Sequence, residues 1–394
     1  MISRKSIEEV MERARIEEVV GDFVNLKRRG SNLTGLCPFH HEKTPSFSVS
    51  PTRNIFKCFG CGKGGDSVKF VMEHEGYDFP ESIRYLAGKY GIQLEETKAD
   101  PEALQAEKER ESLYQVLEFA WKFYTDQLYH TEEGQIAGLN YFKERGFRTK
   151  TLETFGLGYA PDASDALISK AKQAGFSPEI LQRAGLMTQS GSDFFRHRVI
   201  FPIFNISGKV IAFAGRQMGT SKRGPKYLNS PETEIYQKRK VLYGISQAKK
   251  SMREQDNCYL VEGYTDVISL HQAGIENVVA SSGTALTPEQ IRLIRRYTAH
   301  ITVLYDSDPA GIKAAMRGLD LILEENMDVR LALLPEGEDP DSFVRHSGLA
   351  GFQSYIKEHG KDFVLFKTQL LLKEAAGDPM RKAALVKDLV ETLA

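Results

Sequence analysis

At 394 residues, 41% of them hydrophobic and 27% charged, the chain has room for two or three separately cored domains of ordinary globular composition. A formal net charge of −1 argues against a chain built throughout for binding nucleic acid, and four cysteines are too few for a disulfide scaffold. No apolar run reaches membrane-span length and residues 1–20 are amphipathic and charged, so no membrane partner, no signal peptide and a cytoplasmic location are expected.

The fold class expected is multi-domain α/β. Residues 1–97 read as a small β-rich domain holding three of the four cysteines. Within it, "CPFHHEKTPSFSVSPTRNIFKCFGCGKGGD" pairs Cys37 with His40 and Cys58 with Cys61, each pair separated by two residues. Two short-spaced pairs on separate turns are what a tetrahedral cation needs, and three thiolates with one imidazole favour zinc. His41 is a rival ligand, but His40 has the matching spacing. No general base accompanies the set, so one structural Zn²⁺ is expected. Lys43, Phe47, Arg53, Phe56, Lys57, Phe59 and Lys63 surround it. Aromatics among cations suit stacking on unpaired bases, and each Phe reads equally well as core.

Residues 98–112 are charged and aromatic-free, as in a linker that runs into a helix. From 113 to 256 a mixed α/β region follows. Its strongest strand signal, "RVIFPIFNISGKVIAFAGR" over 198–216, suggests a hairpin with Gly208 in the turn. Thirteen lysines and arginines between Arg196 and Arg253 face only two acids, Glu232 and Glu234. That block reads as a polyanion-binding face.

Strands and helices then alternate over 257–340, the rhythm of a mainly parallel sheet, and 341–394 reads as helical. Three strand ends each carry two carboxylates: Glu262 and Asp266, Asp306 and Asp308, Asp339 and Asp341. In a parallel sheet those ends share one edge, where ligands bind. Six carboxylates gathered there would repel unless hard divalent cations such as Mg²⁺ neutralised them. Asp308-Pro309 and Asp339-Pro340 also have the form of a helix cap followed by a first-turn proline. For Asp308 the readings as cap and as ligand both stand.

"YLVEGYTDVISL", "VLYDSDPAG" and "EDPDSF" together resemble the topoisomerase–primase, or Toprim, fold. With the cysteine–histidine module and "PKYLNSPETEIYQKRKVLYG" over 225–244, the chain resembles the bacterial replicative DNA primases from Ser3 to about Arg345. The resemblance implies a zinc-ribbon domain, a Toprim subdomain over 257–340, and synthesis of an RNA primer from ribonucleoside triphosphates on single-stranded DNA. It implies catalytic Mg²⁺ or Mn²⁺ held by Asp306, Asp308, Asp339 and Asp341. Glu262 would be a ligand or proton shuttle, and Asp266 an outer ligand. Lys226 and Lys238 match the family's basic motif, as do Arg196, Arg198 and Arg216. Asn229 and Tyr227 read as contacts to sugar or base, and equally well as a turn residue or a core aromatic. With the hairpin turn centred near Ser207, Arg198 and Arg216 would stand opposite each other, a clash that a bound anion would relieve. A one-residue slip would put them on opposite faces. The family also carries a C-terminal domain that contacts the replicative helicase, expected to be missing here, and a monomer is expected. The alternatives are a Toprim nuclease or topoisomerase and a non-catalytic zinc-dependent DNA-binding module.

Overall fold

The structure is a computed structural model that describes residues 2–95, 101–219, 224–283, 285–305, 318–363 and 365–366. The chain divides into two compact units, Met1–Glu111 with two short later segments, and most of the remainder. No helix among the described residues is long and apolar enough to cross a membrane.

The first unit is built on an antiparallel sheet of five strands in chain order, Lys27–Arg29, Asn32–Gly35, Phe47–Ser50, Ile55–Cys58 and Gly64–Gly65. Strand alternation makes its core: Phe47 and Val49 point inward from one strand, Phe56 and Cys58 from the next. Phe47 stacks on Phe56 at 5.3 Å between ring centroids, and Phe70 of the helix Ser67–Glu75 meets Phe56 edge-on at 5.4 Å. Of the aromatics beside the cysteines, Phe47 and Phe56 are therefore core, whereas Phe59 is 77% exposed. The helix Phe79–Tyr90 starts from a capping box between Asp78 and Glu81 and stops at Gly91, whose φ of 64° favours glycine.

The charged stretch after residue 97 is helical from Pro101, which opens a helix running to His130. The second unit holds two sheets. One is antiparallel, ordered Gly158–Ala160, Arg198–Phe204, Val210–Gln217, Tyr227–Asn229. Its central hairpin forms where expected, with Gly208 at φ 82° in the turn. The register does not follow the simple expectation. Phe204 pairs with Val210 but Ile203 pairs with Ala212, so one residue bulges out. Arg216 consequently faces Val199, and Arg198 faces Gln217. The two arginines lie on opposite faces, so the like-charge argument for a bound anion falls.

The other sheet is ordered Val278–Ala280, Cys258–Val261, His300–Tyr305, Asp328–Leu333, Lys361–Asp362. The first four strands are parallel, and the last is a two-residue antiparallel edge. On the opposite edge the backbone of Tyr243 exchanges hydrogen bonds of 2.9 and 3.0 Å with Ala280. Beside Asp328–Leu333, Arg330 donates to the Gly360 carbonyl and the Tyr355 hydroxyl to the Leu333 carbonyl. The helix Tyr264–Gln272 is buried along most of its length, and the helix Pro340–His359 bends at Gly348, where φ is 64°. The two sheets share one core in which Phe201 stacks on Tyr264 at 5.4 Å. The helical reading of 367–394 lies outside the described residues.

Candidate metal centre and acidic cavity

In the first unit, one ligand atom from each of Cys37, His40, Cys58 and Cys61 lies within 4.8 Å of all the others. Two sulfurs each bound about 2.3 Å from one zinc at the tetrahedral angle stand about 3.8 Å apart. Cys37 Sγ and Cys61 Sγ are 3.9 Å apart, and Cys58 Sγ is 3.7 Å from His40 Nδ1. The amides of Phe39 and Cys61 donate to Cys37 Sγ and Cys58 Sγ, both at 3.4 Å, the support a thiolate needs. The donor set and spacing fit zinc. His41 is exposed and outside the cluster.

Glu42 was not singled out by the spacing of the cysteines. One of its oxygens accepts the amides of Cys37 at 2.8 Å and Ser46 at 2.9 Å. The other meets His40 Nε2 at 3.2 Å and accepts the Ser46 hydroxyl. Burial alone would raise this carboxyl, but the hydrogen bonds from Ser46 and Cys37 outweigh it and hold Glu42 below the usual carboxylate range.

In the second unit, a cavity of about 1160 Å³ opens at the carboxyl ends of the parallel strands. The strand register sets its floor: Leu260 pairs with Val303, so Val261 comes level with Leu304 and Glu262 emerges one step beyond. Glu262 is exposed there, and Asp266 and Asp339 share the wall. Asp266 is 9% exposed, and its carboxylate accepts the Gly263 amide at 3.0 Å, pinning the turn that carries Glu262. Asp339 caps the helix Pro340–His359 by accepting the Ser342 amide at 2.7 Å. Asp306 and Asp308 follow the strand that supplies Leu304 and lie outside the described residues.

Asp341 is placed differently from Asp339. It is 2% exposed and is not among the residues that line the cavity. Arg145 reaches it at 2.6 Å, Arg345 at 3.2 Å and the Ser269 hydroxyl at 2.5 Å. A buried carboxylate so satisfied is a structural anchor. It holds Arg145 at the ring of Tyr141, 5.4 Å from the centroid, and Arg216 lies 4.5 Å from the centroid of the same ring. The Arg216 Nε is buried without a hydrogen-bond partner among the described residues. Nothing in the local sequence links Arg145 to Asp341, 196 positions away.

The expected basic residues separate in the same way. Lys226 and Asn229 line the cavity, and Lys238 sits beside Ser281 and Ser282 in an adjoining cleft. Asn229 is clamped: its Oδ1 accepts the Tyr264 hydroxyl at 2.7 Å, and its Nδ2 reaches the Ser282 carbonyl at 3.4 Å. Burial pushes the Tyr264 phenol well up, keeping it a donor. Arg198 is placed differently from Lys226 and Asn229. It is 4% exposed, and its Nη1 donates to the carbonyls of Gly215 at 3.0 Å, Pro225 at 3.1 Å and Lys226 at 3.4 Å. Through Nη1 it ties the basic strand to the hairpin. Arg196 spends its guanidinium on the Asp162 carbonyl and lines no part of the cavity. Arg239 pairs with Glu289 at 2.6 Å, so one member of the basic block already has an acidic partner. Tyr264, Ser281 and Ser282 were missed, although the last two lie at a parallel strand's carboxyl end, the place where ligands gather.

A cysteine–histidine ribbon followed by an antiparallel basic sheet and a parallel sheet with acids at its carboxyl edge defines a zinc-ribbon Toprim protein. Family models match three successive segments: a CHC2 zinc finger over 2–102, the N-terminal domain of the DNA primase catalytic core over 123–249, and a Toprim-like domain over 259–344. The DNA primase of Clostridium acetobutylicum is 44% identical over 360 residues, which is 91% of this chain and 59% of that protein. The crystal structure of the Aquifex aeolicus primase zinc-binding and RNA polymerase domains superposes with a TM-score of 0.62 at 35% identity. The match covers 98% of this chain and 96% of that one. A DnaG primase catalytic domain bound to single-stranded DNA superposes at 0.66 with 34% identity, covering 72% of this chain and 91% of that one. The chain belongs to the DnaG-type DNA primase family. It spans about three fifths of the length of the curated primases it matches.

Proposed function

We propose that this chain carries the template-handling and nucleotidyl-transfer parts of a primase, joining ribonucleoside triphosphates into a short RNA primer on single-stranded DNA. The carrying observation is one cavity lined by Glu262, Asp266 and Asp339 together with Lys226 and Asn229. Acids, a lysine and an amide around one cavity suit a triphosphate with its cations. Divalent magnesium or manganese, when bound, would activate the attacking 3′-hydroxyl and steady the departing pyrophosphate. Glu262, Asp306, Asp308 and Asp339 would hold those ions, and Asp266 would fix the Glu262 turn. Lys226 and Lys238 would hold phosphate oxygens, and Asn229, oriented by Tyr264, would meet sugar or base.

The zinc-ribbon sheet supplies a second surface. Exposed Phe59 with Arg53 and Lys57 beside a shallow groove suits stacking on unpaired template bases. The related catalytic domain bound to single-stranded DNA supports the same substrate class. A replicative helicase would engage sequence outside the three matched segments, and the work would take place in the cytoplasm.

The test is template-dependent ribonucleotide incorporation with Mg²⁺ or Mn²⁺. Glu262→Ala, Asp306→Ala and Asp308→Ala are each expected to lower primer synthesis at least about 100-fold while leaving the thermal melt in place. Wild-type synthesis in any of them would sink the reading. Cleavage of the DNA without incorporation would point to a Toprim nuclease, and retention without either to a binding module.

A further inference from the structure

We infer that Glu42 is the positioning residue of the zinc centre: it selects which nitrogen of His40 meets the metal and locks the first cysteine turn around it. A neutral imidazole presents one bare nitrogen and one N–H. The His40 ring turns Nδ1 toward Cys58 Sγ at 3.7 Å and Nε2 toward Glu42 at 3.2 Å. A carboxylate only accepts, so the proton sits on Nε2 and Nδ1 is left bare to bind.

The same carboxylate does more than orient the ring. It accepts the amide of Cys37, itself a ligand, and both the amide and the hydroxyl of Ser46. The Ser46 hydroxyl oxygen lies 3.3 Å from Cys58 Sγ. Glu42 therefore touches His40 and Cys37 directly and Cys58 through one hydroxyl. Its side chain is only 10% exposed, so little water competes for these bonds. Packing fixes the ring from the other side. A Cβ at Gly60 would stand 2.6 Å from His40 Nε2 and 2.8 Å from Ser46 Oγ, so the second cysteine turn closes against the His40–Glu42 pair only with glycine there.

Glutamine at position 42 separates orientation from mere loop support. In Glu42→Gln the amide oxygen still accepts the two backbone N–H groups. The NH₂ that replaces the other oxygen donates toward Nε2, which favours the tautomer with its proton on Nδ1, facing the metal. Competition of the full chain against a zinc chelator of known affinity is expected to show 10–100-fold weaker binding in Glu42→Gln. In excess zinc the far-UV circular dichroism of the variant is expected to match the parent. In parallel, ¹⁵N-histidine spectra of the zinc-loaded parent chain are expected to show His40 metal-bound at Nδ1 and protonated at Nε2. Parental zinc affinity in Glu42→Gln, or metal on Nε2 in the parent, overturns the assignment. Should the variant fail to fold even in excess zinc, the spectrum of the parent decides.

Discussion

Arg198 Nη1 donates to three carbonyls inside the second unit, so removing it takes away the donor that joins the buried Gly215 carbonyl to the part-buried carbonyls of Pro225 and Lys226. Arg198→Ala is expected to cost on the order of 2 kcal/mol in urea unfolding. Arg216→Ala is expected to leave stability within about 1 kcal/mol and to weaken binding to a single-stranded oligonucleotide, with a log–log salt slope shallower by about 0.7. Equal destabilisation by both would refute the division of labour. The acids divide likewise. Asp341→Asn removes the charge that Arg145 and Arg345 share and is expected to cost on the order of 2 kcal/mol, moderated because both arginines keep some water. Asp339→Asn keeps a good helix cap, so its expected signature is lost incorporation at nearly parental stability. The sequence placed both acids on one strand end as equivalent ligands. The difference between them is the arginine that one of them meets from far along the chain, and spacing carries no trace of that partner.

The hairpin from Arg198 to Gln217 shows which features of an element are legible and which are not. Two apolar runs around "NISGK" announce the strands and the turn, because alternation and turn chemistry are local. The bulge at one position is not announced, and it decides which face every residue after it occupies. The cysteine spacing was readable for the opposite reason: each turn brings its two ligands together within four residues. Tyr264 belongs to this scale because its hydroxyl joins the first turn of one helix to Asn229 on a strand of the other sheet. Tyr264→Phe keeps the ring and loses that bond. A change of about 1 kcal/mol is expected, read as a roughly fivefold rise in nucleotide KM. Asn229→Ala should cost at least as much, and the double variant should be no worse than Asn229→Ala alone. Additive losses would show that the two residues act separately.

Each unit buries its own aromatic core, so each has its own reason to fold. The first brings three thiols and an imidazole within 4.8 Å of one another, a set that fits zinc and would gain folding energy from binding it. Heating the zinc-loaded chain is expected to give two transitions in circular dichroism. A strong zinc chelator is expected to abolish the one that belongs to the first unit and leave the other within a few degrees, and a shift of both together would mean that the units melt as one. At this scale the order of modules was legible in the sequence, because each carries its own motif. The parallel order of the second sheet followed from the βαβ rhythm, while the short antiparallel piece at its edge left no sequence signal.

That edge has a bearing on life in a crowded cell. A strand with open N–H and C=O groups is a template onto which another copy of the same chain can add, and parallel sheets form slowly enough to leave such templates exposed. Here one border of the sheet is taken by the Tyr243 backbone, and the other is blunted by Lys361–Asp362, the Arg330 guanidinium and the Tyr355 hydroxyl. Among the described residues these contacts occupy part of each border, so the folded sheet offers a neighbour less open backbone than the chain does before they are in place.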